Sequence, residues 1–213
     1  LRVNLLYTGG FLLAFKQERE NLKLDFYKER LKGMLNHKRY EHSLGVMNTA
    51  VQLAAIHGAD VERAALAGLM HDCARGVPGD TLLLMAQEFD LPMLEVDLAL
   101  PVLLHAPVGA QLARRDFGVQ DEVVLQAIAV HTLGDEHMTL LDKVLFVADK
   151  VEPGRYFQNV DKLRALAERD IDQALLNCYD LSVSYALRLG DQVHPRMIAA
   201  RNRLISEKPN RKI

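Results

Sequence analysis

Ala64-Ala65-Leu66-Ala67-Gly68-Leu69-Met70-His71-Asp72 decides how the chain is read. Seven small or apolar residues make a helix suited to burial, and they run straight into an imidazole and a carboxylate. A carboxylate at the tip of a buried helix is costly unless something ionic meets it. His42 lies upstream on an amphipathic segment, and His105, His131 and Asp149 follow on later ones. Asp149 comes directly after Val144-Leu145-Phe146-Val147-Ala148, so the same objection applies to it. Taken singly, a histidine beside an apolar stripe is more often a hydrogen-bonded core residue. Two carboxylates on buried-looking helices, together with several inward histidines, point jointly to bound metal. The set offers imidazole nitrogens and carboxylate oxygens for one or two transition-metal ions.

Outward from that stretch almost everything after Leu22 has a helical period. Leu44, Met47, Val51 and Ala54 or Ala55 follow the three-and-four spacing of a buried stripe, which Val46, Ala50 and Leu53 widen. Asp60 is a good N-cap for the next helix, which is expected to reach about Ala74 before Gly76, Pro78 and Gly79 end it. Asp80 is then expected to cap a helix from Thr81 to Phe89. A Pro-punctuated section, Leu91 to Pro101, precedes a helix starting near Pro107 and stopping at Gly118. Asp121 to about His131 is another helix. Thr139 and Asp142 resemble a capping box for the one that follows, which Pro153-Gly154 ends near Val151. Val160 to Arg169, Ile171 to Leu189 and Pro195 to Ile205 complete the series. No strand-like alternation, repeat or low-complexity linker interrupts it. The expectation is an all-α fold: one helical bundle over 22–206 with the C-terminal helices packed on it, an N-terminal appendage at 1–21 and a tail at 207–213.

With 213 residues, 49% of them hydrophobic, the chain can bury a substantial core. Its formal net charge of −2 gives no support for a nucleic-acid partner held by bulk electrostatics. Phosphate binding must therefore come from a few placed basic side chains. Cys73 and Cys178 suggest two buried thiols in a reducing cytoplasm rather than a disulfide framework. The apolar stretch Leu5 to Phe15 is broken by Gly9 and Gly10 and is too short to span a bilayer. No membrane partner is expected. Leu94 to Leu104 is apolar enough to serve a homodimer interface.

Residues so scattered can meet only if the chain folds back. His131 and Asp149 would stand roughly 27 Å apart on one continuous helix. The break at Gly134 lets the following helix return antiparallel and brings the two ends together. Arg39 is one helical turn before His42, Arg75 is three residues after Asp72, and Arg155 lies just past Pro153-Gly154. Guanidinium forks suit phosphate oxygens, so these three read as a clamp. His57 sits at a helix C-terminus, where partial positive charge is welcome, and His37 and His137 lie in polar loops.

The blocks Arg39-Tyr40-Glu41-His42-Ser43-Leu44-Gly45-Val46, Leu69-Met70-His71-Asp72-Cys73-Ala74-Arg75, His131-Thr132-Leu133-Gly134 and Ala148-Asp149-Lys150-Val151-Glu152-Pro153-Gly154-Arg155 come in an informative order. With His105, Gly109, His194-Pro195 and Asn202 they resemble the YqeK-type branch of the HD-domain superfamily of metal-dependent phosphohydrolases. That resemblance spans about Leu24 to Leu204. It implies symmetrical hydrolysis of diadenosine tetraphosphate, a dinucleoside polyphosphate, to two ADP. It also implies an iron site made by His42, His71, Asp72 and Asp149, with another divalent transition metal as the alternative. His105 and His131 would face the phosphates or hold a second ion. Arg39, Arg75, Gly76, Val77, Pro78, Thr132, Arg155, His194 and Arg196 would contact the nucleotide. Asp72 would handle the proton of the attacking water, and His105 or His131 that of the leaving group. The rival readings are another HD nucleotide phosphohydrolase, acting on mono- or triphosphates, and a non-catalytic scaffold on the same fold. No Gly-Tyr-Pro follows His131, which disfavours cyclic-dinucleotide cleavage. No Glu-Asp pair closely follows His71-Asp72, which disfavours alarmone hydrolysis.

Overall fold

In the computed structural model, which describes residues 23–207, the chain forms α1 (23–34), α2 (His37–His57), α3 (Val61–Met70), α4 (Gly79–Glu88) and α5 (Glu95–Ala99). A 3-10 turn (Pro101–Leu104) follows, then α6 (His105–Phe117), α7 (Glu122–Val130), α8 (Leu140–Val151), α9 (Val160–Arg169), α10 (Ile171–Leu189) and α11 (Pro195–Ser206). No strand occurs among the described residues. The appendage expected at 1–21 and the end of the tail, 208–213, lie outside them. Among the described residues no helix is long and apolar enough to cross a membrane.

Helix α8 is the axis of the packing, lying against α2, α3, α7, α9 and α10. Val144, Leu145, Phe146, Val147 and Ala148 are all fully buried, which a helix covered on every side requires. It therefore delivers Asp149 into the interior. Its N-terminus is closed reciprocally: Asp142 N–H donates to Thr139 Oγ1, and Thr139 N–H donates to Asp142 Oδ2. The break before it depends on Gly134, whose φ of 74° is left-handed. A Cβ there would fall inside the buried phenol of Tyr179 on α10, so both backbone and space call for glycine.

Helices α2 and α3 approach so closely that a Cβ on Gly68 would sit 2.7 Å from Cα of Met47. This places Val46, Ala50 and Leu53 in the core, while Leu44, Met47 and Val51 are only half-buried and Ala55 is exposed. The wider stripe expected from the sequence is thus rotated, because α2 is wedged between α3 and α8.

Three boundaries differ from expectation. Helix α3 ends at Met70 rather than Ala74, and tight turns follow, with Cys73 N–H on Met70 C=O and Arg75 N–H on Asp72 C=O. The ring of His71 takes the Gly68 carbonyl, the acceptor that Asp72 N–H would use in a continued α-helix. Helix α4 starts at Gly79 behind Pro78, and Asp80 lies inside its first turn instead of capping it. The section Leu91–Pro101 contains α5, whose Asp97 accepts from Leu94 N–H, and α6 begins at His105, two residues before Pro107.

Candidate active site

Three of the histidines end helical segments in the same manner. Nδ1 of His71 meets Gly68 C=O at 2.8 Å, Nδ1 of His131 meets Ile128 C=O at 2.8 Å, and Nδ1 of His105 meets Val102 C=O at 2.5 Å. Each carbonyl is three residues back; those of Gly68 and Ile128 are among the acceptors a helix end leaves without an amide partner, while that of Val102 also takes the backbone N–H of His105. A carbonyl only accepts, so the ring hydrogen sits on Nδ1 and the Nε2 lone pair points inward. His42, from the second turn of α2, uses Glu152 for the same purpose, with Oε1 3.1 Å from Nδ1.

The inward nitrogens converge on two carboxylates. Asp72 Oδ1 is 3.2 Å from Nε2 of His105 and 3.8 Å from that of His131. Its Oδ2 is 3.8 Å from Nε2 of His71 and 4.0 Å from that of His42. Asp149 Oδ1 is 3.0 Å from His42 Nε2 and 3.9 Å from His71 Nε2. Two groups with metal-ligand spacing result, His42/His71/Asp72 and Asp72/His105/His131, sharing Asp72. Lys150 Nζ, 2.8 Å from Asp149 Oδ2, leaves Asp149 to offer a single oxygen to the centre.

The electrostatics match a cation. Burial alone would raise the Asp72 pKa, but His71, His105 and His131 hold it well below the usual carboxylate range. Asp149 is likewise held down against its burial by Lys150, His42 and Arg155. Burial pushes His71 down, and burial together with the neighbouring His71 and His105 brings His131 down to about 3. His42 is raised: burial opposes its charging, and the bond to and charge of Asp149 override that. Ionised carboxylates beside neutral imidazoles are the donor set a transition metal takes. The Nε2 atoms of His105 and His131 lie 3.2 Å apart with no hydrogen to place between them, and the Thr132 hydroxyl, 3.2 Å from both, can donate to only one. The residues fit a bound metal ion.

Basic side chains rim the cluster. Arg155 donates from Nε to Asp149 C=O at 2.7 Å, pairs through Nη2 with Asp149 Oδ1, and lies 3.3 Å from His42 Nε2. Arg39 Nη1 is 3.8 Å from Asp72 Oδ2. Arg75 is half-buried within the field of Asp72, Asp149, Arg39 and Arg155; burial is the main cause of its lowered pKa. Gly76, Val77 and Pro78 continue from it in the turn leading to α4.

The structure thus brings together His42, His71, Asp72, His105, His131, Thr132, Asp149, Arg39, Arg75 and Arg155. The contacts of His194 and Arg196 are elsewhere. His194 caps α11, accepting Arg196 N–H at Nδ1, with Nε2 3.4 Å from buried Asp97. Arg196 pairs with Asp135 at 2.8 Å. One residue reading of the sequence assigned no role to is Glu152, which orients His42. Its signal was available, since Glu152 is one helical turn after Asp149 and so on the same face.

A helical fold with this His-Asp arrangement defines a class, and a family model described as the HD domain matches residues 39–154. The chain belongs to the HD-domain family. It is 42% identical to the Bacillus subtilis protein named bis(5'-nucleosyl)-tetraphosphatase, symmetrical, over 83% of this chain and 94% of that one. A protein of the same name from Halalkalibacterium halodurans is 37% identical over the same shares of the two chains. A solved structure from Clostridium acetobutylicum, described as a predicted HD superfamily hydrolase involved in NAD metabolism, superposes with a TM-score of 0.84 at 42% identity. It covers 86% of this chain and 97% of that one.

Proposed function

We propose that this protein is a metal-dependent hydrolase that cleaves diadenosine tetraphosphate symmetrically, consuming one water and releasing two ADP. The observation that carries the reading is Asp72, an ionised carboxylate that turns one oxygen to His105 and His131 and the other to His42 and His71. Relatives 42% and 37% identical over most of their length carry the name of that activity.

In this reading His42, His71, Asp72 and Asp149 hold the metal, and His105 with His131 either face the phosphates or hold a second ion. Bound there, a divalent transition metal supplies Lewis acidity toward phosphoryl oxygens and makes water acidic enough to attack near neutral pH. Asp72 orients the attacking water and accepts its proton. When that pair is free of an ion, the proton taken up by Asp72 passes to Nε2 of His105, 3.2 Å from Asp72 Oδ1, and on to the departing phosphate oxygen; His131, kept neutral by burial with its hydrogen on Nδ1, is the weaker candidate for that role. Arg39, Arg75 and Arg155 offset the charge that builds on the leaving ADP. Gly76, Val77, Pro78 and Thr132 line the approach; His194 and Arg196 are assigned to the nucleotide on family resemblance alone, since their own contacts are with Asp97 and Asp135. Iron is the metal assigned here on family resemblance; the nitrogen and oxygen donors also suit manganese, cobalt or zinc. Two buried free thiols support a reducing, cytoplasmic setting. Leu94, Leu98 and Val102, all exposed, support a homodimer contact on α5 and the 3-10 turn.

The test is an anaerobic assay of a dinucleoside polyphosphate series, with products resolved and metal content measured on the same preparation. Stoichiometric metal and ADP as sole product from the tetraphosphate are expected. ATP plus AMP, a preference for nucleoside mono- or triphosphates, or a metal-free inert protein overturns the proposal.

A further inference from the structure

Arg155 can reach Asp149 and His42 only if the turn after α8 is held in one shape, and that turn does little to hold itself. Its internal bonds are few. Glu152 N–H still reaches Ala148 C=O, and Arg155 N–H closes on Glu152 C=O at 2.9 Å. Pro153 has no N–H, and Gly154 N–H goes to the Glu152 side chain. The carbonyls of Val151 and Arg155 are left for other donors, and that of Glu152, already taken by Arg155 N–H, has a second lone pair to offer. A single side chain on α9 collects all three. Arg164 donates from Nε to Val151 C=O at 2.8 Å, and from Nη2 to Glu152 C=O at 3.0 Å and Arg155 C=O at 2.9 Å. Its Nη1 bonds Asp161 Oδ1 at 2.7 Å, which fixes the guanidinium plane.

We infer that Arg164 is a positioning residue for the proposed hydrolase, shaping the 151–155 turn so that Arg155 presents its side chain to the site. Arg164 bonds the backbone of the turn, and it acts on the site through Arg155. The inference rests on the hydrolase reading for its effect on catalysis, but its structural half stands independently. Three carbonyls fanned around one plane match a guanidinium fork, whose five donors are rigidly disposed. A lysine ammonium keeps the charge and lacks that fork. Arg164→Lys is therefore the informative change, and Arg164→Met removes charge and fork together.

Two measurements decide it. The first is amide hydrogen exchange of the wild type and Arg164→Lys proteins, which reports local opening. Exchange in the 152–157 segment is expected to quicken at least about tenfold, with α3 and α7 unchanged. The second is a double-mutant cycle with Arg155→Ala, scored on kcat/KM for diadenosine tetraphosphate. Arg164→Lys is expected to lower kcat/KM about tenfold in the wild type and less than about twofold when Arg155 is already gone, because coupled residues are non-additive. Equal losses in both backgrounds, or exchange that quickens throughout the molecule, would mark Arg164 as a general structural residue and overturn the inference. Unchanged exchange in 152–157 overturns it whatever the activity. If the segment loosens and the wild type fails to cleave the dinucleotide, the hydrolase reading falls while the positioning of the turn by Arg164 stands. Arg164→Met repeats the exchange measurement with the same expected direction.

Discussion

Glu152 Oε1 lies 3.1 Å from Nδ1 of His42, on the far side of the ring from Asp149 Oδ1, which is 3.0 Å from Nε2. The imidazole is therefore gripped at both nitrogens by carboxylates one helical turn apart on the end of α8. Two glycines make room for the outer one. A Cβ on Gly45 would stand 2.7 Å from Glu152 Oε2, and a Cβ on Gly154 would stand 2.9 Å from Oε1. Glu152 is buried, so its orientation is set by those walls and by Gly154 N–H.

Glu152→Gln is the first prediction. A carboxylate behind a metal-binding histidine fixes its tautomer and raises its basicity, and losing such a partner typically costs about 10–100-fold in metal affinity. The amide keeps the shape and an acceptor, so folding should survive. Titrating metal into the stripped protein should give a dissociation constant raised by that factor, with unchanged far-UV circular dichroism. An unaltered constant would show that the His42–Glu152 contact has no part in binding.

Asp72→Asn is the second. The substitution keeps size and removes the charge that both histidine groups share. Loss of a metal ligand and of the water's proton acceptor together should cut turnover by at least about 10²–10⁴-fold. Helicity should be preserved, because Asp72 follows the end of α3 instead of supporting it. Near wild-type hydrolysis in this variant with metal supplied would sink the assignment.

What the sequence could and could not reveal divides along the range of the interactions. Asp60 and Thr139 were legible as caps because each bonds amides two or three residues ahead. The ligand candidates were legible because polar groups ending runs such as 64–70 and 144–148 have no other economical place. The end of α3 was not, since it depends on a ring reaching back to Gly68. Nor was α5, whose Asp97 is also engaged by His194, far along the chain. The face of α2 that enters the core is chosen by the close approach at Gly68, which hydrophobic spacing alone cannot specify. Arg164 looks like any surface arginine until the three carbonyls around it are seen.

Glycine substitutions give the third prediction, on stability. Gly118 and Gly134 have left-handed φ values of 72° and 74°. A Cβ on Gly118 meets nothing within 4 Å, so Gly118→Ala should cost only the backbone penalty of about 1–2 kcal/mol. Gly134→Ala adds displacement of the buried Tyr179 ring, whose hydroxyl bonds Met138 Sδ at 3.0 Å, and overpacking of that kind costs about 1–3 kcal/mol more. Tm should fall by roughly 2–4 °C for each kcal/mol in a chain of this size. The measurement is a pair of thermal melts. Equal Tm losses would mean that the Gly134 turn is not held against Tyr179.

The fourth prediction concerns pH and the protein stripped of metal. Burial lowers His71 and, with its histidine neighbours, takes His131 down to about 3, whereas both titrate near 6.5 once unfolded. Below about pH 6.5 the unfolded chain therefore binds protons that the folded one refuses, and stability falls as pH falls. His42 works in the opposite sense: its raised value gives stability that is complete below 6.5 and is lost as pH rises through that folded value. Asp72 and Asp149, held far down, contribute fully above the ordinary carboxylate range and lose their contribution only in stronger acid. Between pH 7.5 and 5 the two neutral histidines outweigh the one charged, so the urea midpoint should drop. Saturating metal should steepen the dependence, because protons compete with metal for the same nitrogens. His131→Asn should flatten the slope of the stripped protein. A midpoint that holds steady or rises on acidification would mean that His71 and His131 are not the neutral, inward-facing rings on which the metal site depends.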